Sequence, residues 1–130
     1  MNQMKTLKVV AAIIEKDDRI LIAQRLKGDL EGRWEFPGGK YEENESGQEA
    51  IKREIYEEFD VKLTVKEYLF TIEHQYPDFY LIMDCFRCAL EDENITLHDH
   101  KAIRWIDPYE EADFAPADIK VIEEYRKFLE

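Results

Sequence analysis

One helix constrains everything else this chain can become. Ser46, Gly47, Gln48 and Glu49 form a capping-box signature, and Ala50, Ile51, Ile55 and Phe59 follow as an apolar stripe at helical spacing. With Glu54 as origin and about 100° per residue, Glu57 falls about 60° to one side and Glu58 about 40° to the other. Three carboxylates therefore share one face of a helix whose stripe has to be buried. Two carboxylates about 5 Å apart repel by ~0.8 kcal/mol in bulk water and ~3 kcal/mol at an effective dielectric of 20, so a cation is expected among them. Oxygen ligands on a rigid helix suit a hard cation, Mg2+ or Mn2+. The plainer alternative is a solvated acidic face in a chain where 30 Asp and Glu outnumber 18 Lys and Arg.

Strands must supply the surface that receives the stripe. Residues 7–15 are β-branched and apolar, a polar turn follows at Lys16, Asp17 and Asp18, and residues 19–24 return as a second strand, which predicts a hairpin. Residues 25–33 read as a polar loop. In Trp34-Glu35-Phe36-Pro37-Gly38-Gly39, a proline beside two glycines marks a turn where backbone comes close to something. Residues 61–75 and 79–90 read as two long strands joined at Tyr76, Pro77 and Asp78, and residues 102–106 as a short one. Asp107-Pro108 has the form of an N-cap with proline at the first helical position. Pro116-Ala117-Asp118 starts a last helix, whose Ile119, Ile122, Tyr125 or Arg126, and Leu129 form the expected packed face. The pattern alone gives an α+β class, and 130 residues without linker or repeat give a single domain over 1–130.

The formal charge of −12 repels a phosphodiester backbone, so duplex nucleic acid is not an expected partner. No apolar run approaches the roughly 20 residues of a membrane span, and no export signal is visible, which points to the cytoplasm. Cys85 and Cys88 are spaced C-x-x-C but have no second pair. On a strand, positions three apart face opposite ways, so two buried thiols are expected rather than zinc or redox chemistry.

The spacing around the acidic helix is the more specific signal. Gly39 is followed by five residues and Glu45, then seven and Arg53-Glu54-Ile55, then Glu57-Glu58, Asp60 and Val61. This resembles the Nudix box, G-x5-E-x7-R-E-U-x-E-E-x-G-U, with Asp60 in place of the penultimate glycine. Asp tolerates left-handed backbone better than most residues, so the departure implies only a somewhat less stable helix end. Trp34 to Lys40 and Ala115 to Ile119 extend the resemblance to the MutT-like subgroup, bacterial CTP pyrophosphohydrolases and 8-oxo-dGTP diphosphatases among them.

The resemblance implies an α/β/α sandwich with a mixed sheet between helices. It implies a Mg2+-dependent attack of water on a nucleoside triphosphate, giving monophosphate and pyrophosphate, with Mn2+ as a substitute. Glu54, Glu57 and Glu58, with Gly38 from the glycine turn and Asp99 six residues ahead of Trp105, are the implied metal ligands. Glu54 is the implied base and Arg53 the residue that orients the carboxylates, while Glu45 serves there or at the helix N-terminus. Arg25, Glu35, Phe36, Pro37, Gly38 and Asp118 are the implied substrate contacts. Three of these have a structural alternative, Arg25 a surface ion pair, Phe36 core and Asp118 an N-cap; Asp99 has simple loop solvation, and the string His98-Asp99-His100 by itself offers a separate metal site. An ionised Asp118 only accepts hydrogen bonds, which favours the exocyclic amine of cytosine or guanine donors. The expected substrate is CTP, dCTP or a modified pyrimidine nucleotide, with 8-oxo-dGTP second and a nucleotide sugar or dinucleotide third; the alternative from another class is a nucleotide-binding module without turnover. Monomer and homodimer both remain open.

Overall fold

The β-branched run near the start of the chain becomes the centre of a mixed seven-stranded sheet. The computed structural model describes residues 4–130. In chain order these form β1 (Lys5–Lys16), β2 (Arg19–Arg25), β3 (Trp34–Glu35), β4 (Gly38–Lys40), α1 (Gly47–Phe59), β5 (Leu63–Gln75), β6 (Phe79–Leu90), β7 (His100–Ile106) and α2 (Pro116–Leu129). The strand order is β3-β2-β1-β6-β5, with β4 also on β1 and β7 also on β2. β1 and β6 run parallel from Lys5↔Phe79 to Ile14↔Cys88, and the other pairs are antiparallel.

The expected hairpins form, but the first one splays. Asp17 and Asp18 both take positive φ (50° and 63°), the backbone a tight two-residue turn demands. β1 and β2 then pair only at Glu15↔Ile20 and Lys16↔Arg19. Beyond that point β4 takes the edge of β1, and β3 and β7 flank β2. The wedge opened between β1 and β2 admits the glycine turn.

Alternation along β1 and β6 sends side chains to two cores. Val10, Ala12, Ile14, Phe86 and Cys88 pack with Ala50, Ile51, Ile55 and Phe59 of α1. Ala11, Ile13, Met83 and Cys85 pack on the opposite face with Ala117, Val121, Ile122 and Tyr125 of α2. This is the α/β/α sandwich. Cys85 and Cys88 are both buried, on opposite faces, and burial pushes their thiols upward, Cys88 to about 12.

Two expectations about the C-terminal third are corrected. Asp107-Pro108 starts no helix: Tyr109 N–H binds the Asp107 carboxylate and Glu110 N–H its carbonyl (both 2.9 Å), closing one turn. The chain then runs extended, because Trp34 N–H bonds Asp113 O (2.8 Å) and Ala115 N–H bonds Trp34 O (2.9 Å). The buried face of α2 is Ala117, Asp118, Val121, Ile122 and Tyr125, whereas Ile119 and Leu129 are exposed. The register is set by Asp118, whose carboxylate is drawn inward by the Phe36 N–H.

Helix α1 is capped as expected. Ser46 N–H donates to Glu49 Oε1 (2.9 Å), and Glu49 N–H donates to Ser46 Oγ (3.2 Å). At the other end Asp60 is left-handed (φ 56°, ψ 32°), the conformation glycine adopts most easily. Urea unfolding should therefore show Ser46→Ala losing about 1 kcal/mol.

Candidate active site

The glycine turn is built by close approach. A Cβ on Gly38 would overlap the Val10 carbonyl, and one on Gly39 would occupy the position of the Glu54 carboxylate. Only a bare backbone lets α1 lie this near β4, and that nearness brings the helix acids to the sheet.

Arg53 organises those acids. Its guanidinium donates to Glu45 (2.7 and 2.9 Å), Glu54 (2.9 Å), Glu57 (3.2 Å) and the Lys40 carbonyl (2.8 Å). The expected cation is thus partly the protein's own. Its contact with Glu45 is the largest cause of two shifts, holding the Glu45 carboxyl below its ordinary range and pushing Arg53 further up. Glu45 also accepts the Glu42 N–H (2.8 Å), which ties the loop before the helix into the same knot.

Glu58 stands outside that arrangement. It is buried, and its Oε2 has no hydrogen-bond partner. Burial, then the charges of Glu54, Glu35, Asp99 and Glu57, push its carboxyl up to about 9. An orphaned buried carboxylate oxygen surrounded by acids fits a hard cation, and every candidate donor here is oxygen. Among the described residues no three His, Cys, Asp or Glu side chains form a finished ligand cage, because Arg53 draws Glu54 and Glu57 to itself.

Asp99 lies exposed on the loop before β7, close enough for its charge to act on Glu58. That loop is fixed to the end of α1 by Thr96 N–H to Phe59 O (3.0 Å) and by His98 Nε2 to Asp60 (2.8 Å). Asp60, the departure from the box, thereby gains a use that glycine lacks. His98 and His100 bond different acids in different directions, so the His98-Asp99-His100 string is not one metal site.

A cavity of about 690 Å3 opens beside the turn. Arg25, Glu35, Phe36, Gly38 and Asp118 line it, whereas Pro37 is buried behind its wall with its carbonyl on the Ala12 N–H (2.8 Å). Phe36 is both core and wall, stacked on Phe114 at 5.8 Å. Arg25 donates to Glu35 Oε1 (2.9 Å), so its ion pair lies at the site. The sequence reading missed the apolar wall of Leu7, Val9, Leu81 and Met83 and the buried partner of Glu35, His100. The wall follows from the register Leu7↔Leu81 and Val9↔Met83, which a single sequence does not specify.

Asp118 differs most from expectation. It is the third residue of α2, the N-cap is Ala115 without a side-chain bond, and Phe36 N–H donates to Asp118 Oδ1 (2.9 Å). Burial, then the charge of Glu35, push its carboxyl up to about 8. The same burial favours the protonated form, which donates as well as accepts, over the ionised acceptor expected.

The chain matches the NUDIX domain model over residues 9–124. It is 38% identical over 125 residues to CTP pyrophosphohydrolase of Escherichia coli, covering 94% of this chain and 93% of that protein. It is 40% identical over 88 residues to 8-oxo-dGTP diphosphatase of Proteus vulgaris, covering 66% and 79%. The solution structure of the E. coli ORF135 protein superposes with TM-score 0.83 at 37% identity, over 97% of this chain and 92% of that one. A MutT protein from Methanosarcina mazei superposes with TM-score 0.89 at 18% identity, over 100% and 99%, a likeness of fold.

Glu58 binds a proton more tightly in the folded chain than in the unfolded one, so its cost to stability grows as pH rises from about 4.5 to about 9. Without metal, Glu58→Gln should stabilise the protein at pH 8 by on the order of 1–3 kcal/mol and by much less at pH 5. In thermal melts Mg2+ should raise the wild-type midpoint and leave that of Glu58→Gln nearly unmoved.

Proposed function

The chain belongs to the NUDIX domain family, and on that premise we propose that it hydrolyses CTP, dCTP or a modified pyrimidine nucleotide to the monophosphate and pyrophosphate. At the coarser level it is a Nudix hydrolase, a diphosphatase acting on nucleoside triphosphates. The observation that carries the finer reading is the buried Asp118 carboxyl at the cavity wall, held by the Phe36 N–H and pushed toward its protonated form. Its hydroxyl can donate to cytosine N3 while its other oxygen accepts from the N4 amine, a complementary two-bond pairing. The likeness to CTP pyrophosphohydrolase over nearly the whole chain supports the same base.

The residues divide the remaining work. Glu54, Glu57 and Glu58, with Asp99 and the backbone at Gly38, would hold Mg2+ or Mn2+. When bound, that ion neutralises triphosphate charge and acidifies a water. Glu54 is positioned by Arg53 at 2.9 Å and takes the proton of the attacking water. Arg53 holds its neighbours together and aimed, and its five donors are spent on protein atoms rather than on substrate. Phe36 offers a ring wall to the base, and Arg25 and Glu35 border the same cavity.

A second reading, 8-oxo-dGTP hydrolysis, draws on the Proteus vulgaris relative and on the ability of a neutral acid to pair with guanine N1–H and O6. A Mg2+-dependent hydrolysis panel separates the two. Cytidine nucleotides cleaved fastest, with pyrophosphate released, is the expected result. Faster 8-oxo-dGTP cleavage selects the second reading, and diphosphate plus phosphate as products contradicts the reaction itself.

Deprotonation of Asp118 should turn its donor into a second acceptor facing cytosine N3. KM for CTP is expected to rise as pH passes about 8, and Asp118→Asn, which keeps one donor and one acceptor at every pH, should remove that rise while keeping the preference for cytosine. A wild-type KM that stays flat through pH 9 argues against Asp118 as the base reader.

A further inference from the structure

His100 is a buried polar side chain near the cavity, with 5% of its side chain accessible. Its Nε2 lies 2.8 Å from Glu35 Oε2. Glu35 is the hydrogen-bonded acceptor, so Nε2 carries the proton, and the buried Nδ1 is left with no partner. A ring buried with one nitrogen unsatisfied is a poor choice for packing alone. Its face instead meets Phe59 at 5.7 Å, which fixes the ring's direction. His100 pairs with Arg25 across β7 and β2, beside a bulge that ends the regular register. Arg25 then holds the other Glu35 oxygen at 2.9 Å. Glu35 borders the cavity and His100 does not, so His100 reaches the cavity only through that carboxylate.

The place of Glu35 defines what it meets. Its chain neighbour Phe36 carries the N–H that binds Asp118, on the base side. Its other partner, His100, abuts Phe59, next in sequence to Glu58, on the acid side. A nucleotide laid with its base at Asp118 and its phosphates toward the α1 acids brings its sugar to Glu35. Both Glu35 oxygens retain a free lone pair for a hydroxyl donor.

We propose that His100 is a positioning residue that, with Arg25, fixes the Glu35 carboxylate as acceptor for the sugar hydroxyls of the bound nucleotide. This rests on the nucleotide-hydrolase reading above but not on which base is preferred. The test compares kcat and KM for the best triphosphate with those for its 2′,3′-dideoxy counterpart, at fixed base. The wild type should favour the hydroxylated substrate by about tenfold or more in kcat/KM, mostly through KM. Glu35→Gln and His100→Ala should each shrink that ratio to within about threefold, the dideoxy substrate being affected several-fold less. His100→Gln, which keeps a donor, should restore most of the ratio, and the double variant should be no worse than Glu35→Gln. His100→Phe keeps the ring volume without the donor and should behave as His100→Ala, which covers a misfolded alanine variant. An unchanged ratio in His100→Ala and His100→Phe, or no wild-type discrimination, overturns the proposal. An error about the base would appear across bases and leave the hydroxyl ratio intact.

Discussion

Arg53 is the contact on which the arrangement depends. One guanidinium on α1 binds three glutamates and the Lys40 carbonyl, and so ties helix, glycine turn and preceding loop together. Planar geometry and five fixed donors make this possible where a lysine's point charge would not hold all partners in place. The pairing keeps Glu54 and Glu57 close without mutual repulsion dominating. It leaves Glu58, on the buried side of the helix, with nothing to neutralise it.

That imbalance makes sense of the neighbouring parts. Gly39 has no side chain because the Glu54 carboxylate occupies its space, and Gly38 because β4 lies against Val10. The loop carrying Asp99 is tied to the end of α1 by Thr96 and His98, so a further acid stays near Glu58. On the other side of Glu35, Asp118 is buried and held by the Phe36 N–H, and burial raises its affinity for a proton. Two carboxyls with raised affinity for protons thus both feel the charge of Glu35, each an electrostatic cost that the fold keeps.

Much of this was legible in the sequence because it is local. The capping box, the helix stripe, the three acids on one face and the turn residues are fixed by spacing within one or two turns of chain. The opposite burial of Cys85 and Cys88 followed from strand alternation alone. What was not legible depends on distant segments. The β1–β2 hairpin parts after two residue pairs because β4 and β7 compete for its edges. The face of α2 rotated from Ile119 and Leu129 to Asp118 and Val121 because a backbone N–H more than 80 residues away binds Asp118. The upward shift of the Asp118 carboxyl was hidden for the same reason, since burial depends on the assembled walls. His100 meets Glu35 only through sheet register, which no local pattern states.

The central physical claim is that Glu58 is an uncompensated buried carboxyl awaiting a divalent cation. A carbon-13 NMR titration of the glutamate side-chain carboxyls, with and without Mg2+, reads it directly, with Glu58→Gln supplying the assignment. The expected result is a single glutamate titrating near 9 without metal, moving into or below the ordinary carboxylate range when Mg2+ is added. A Glu58 that titrates normally without metal, or one that Mg2+ leaves unmoved, would contradict it.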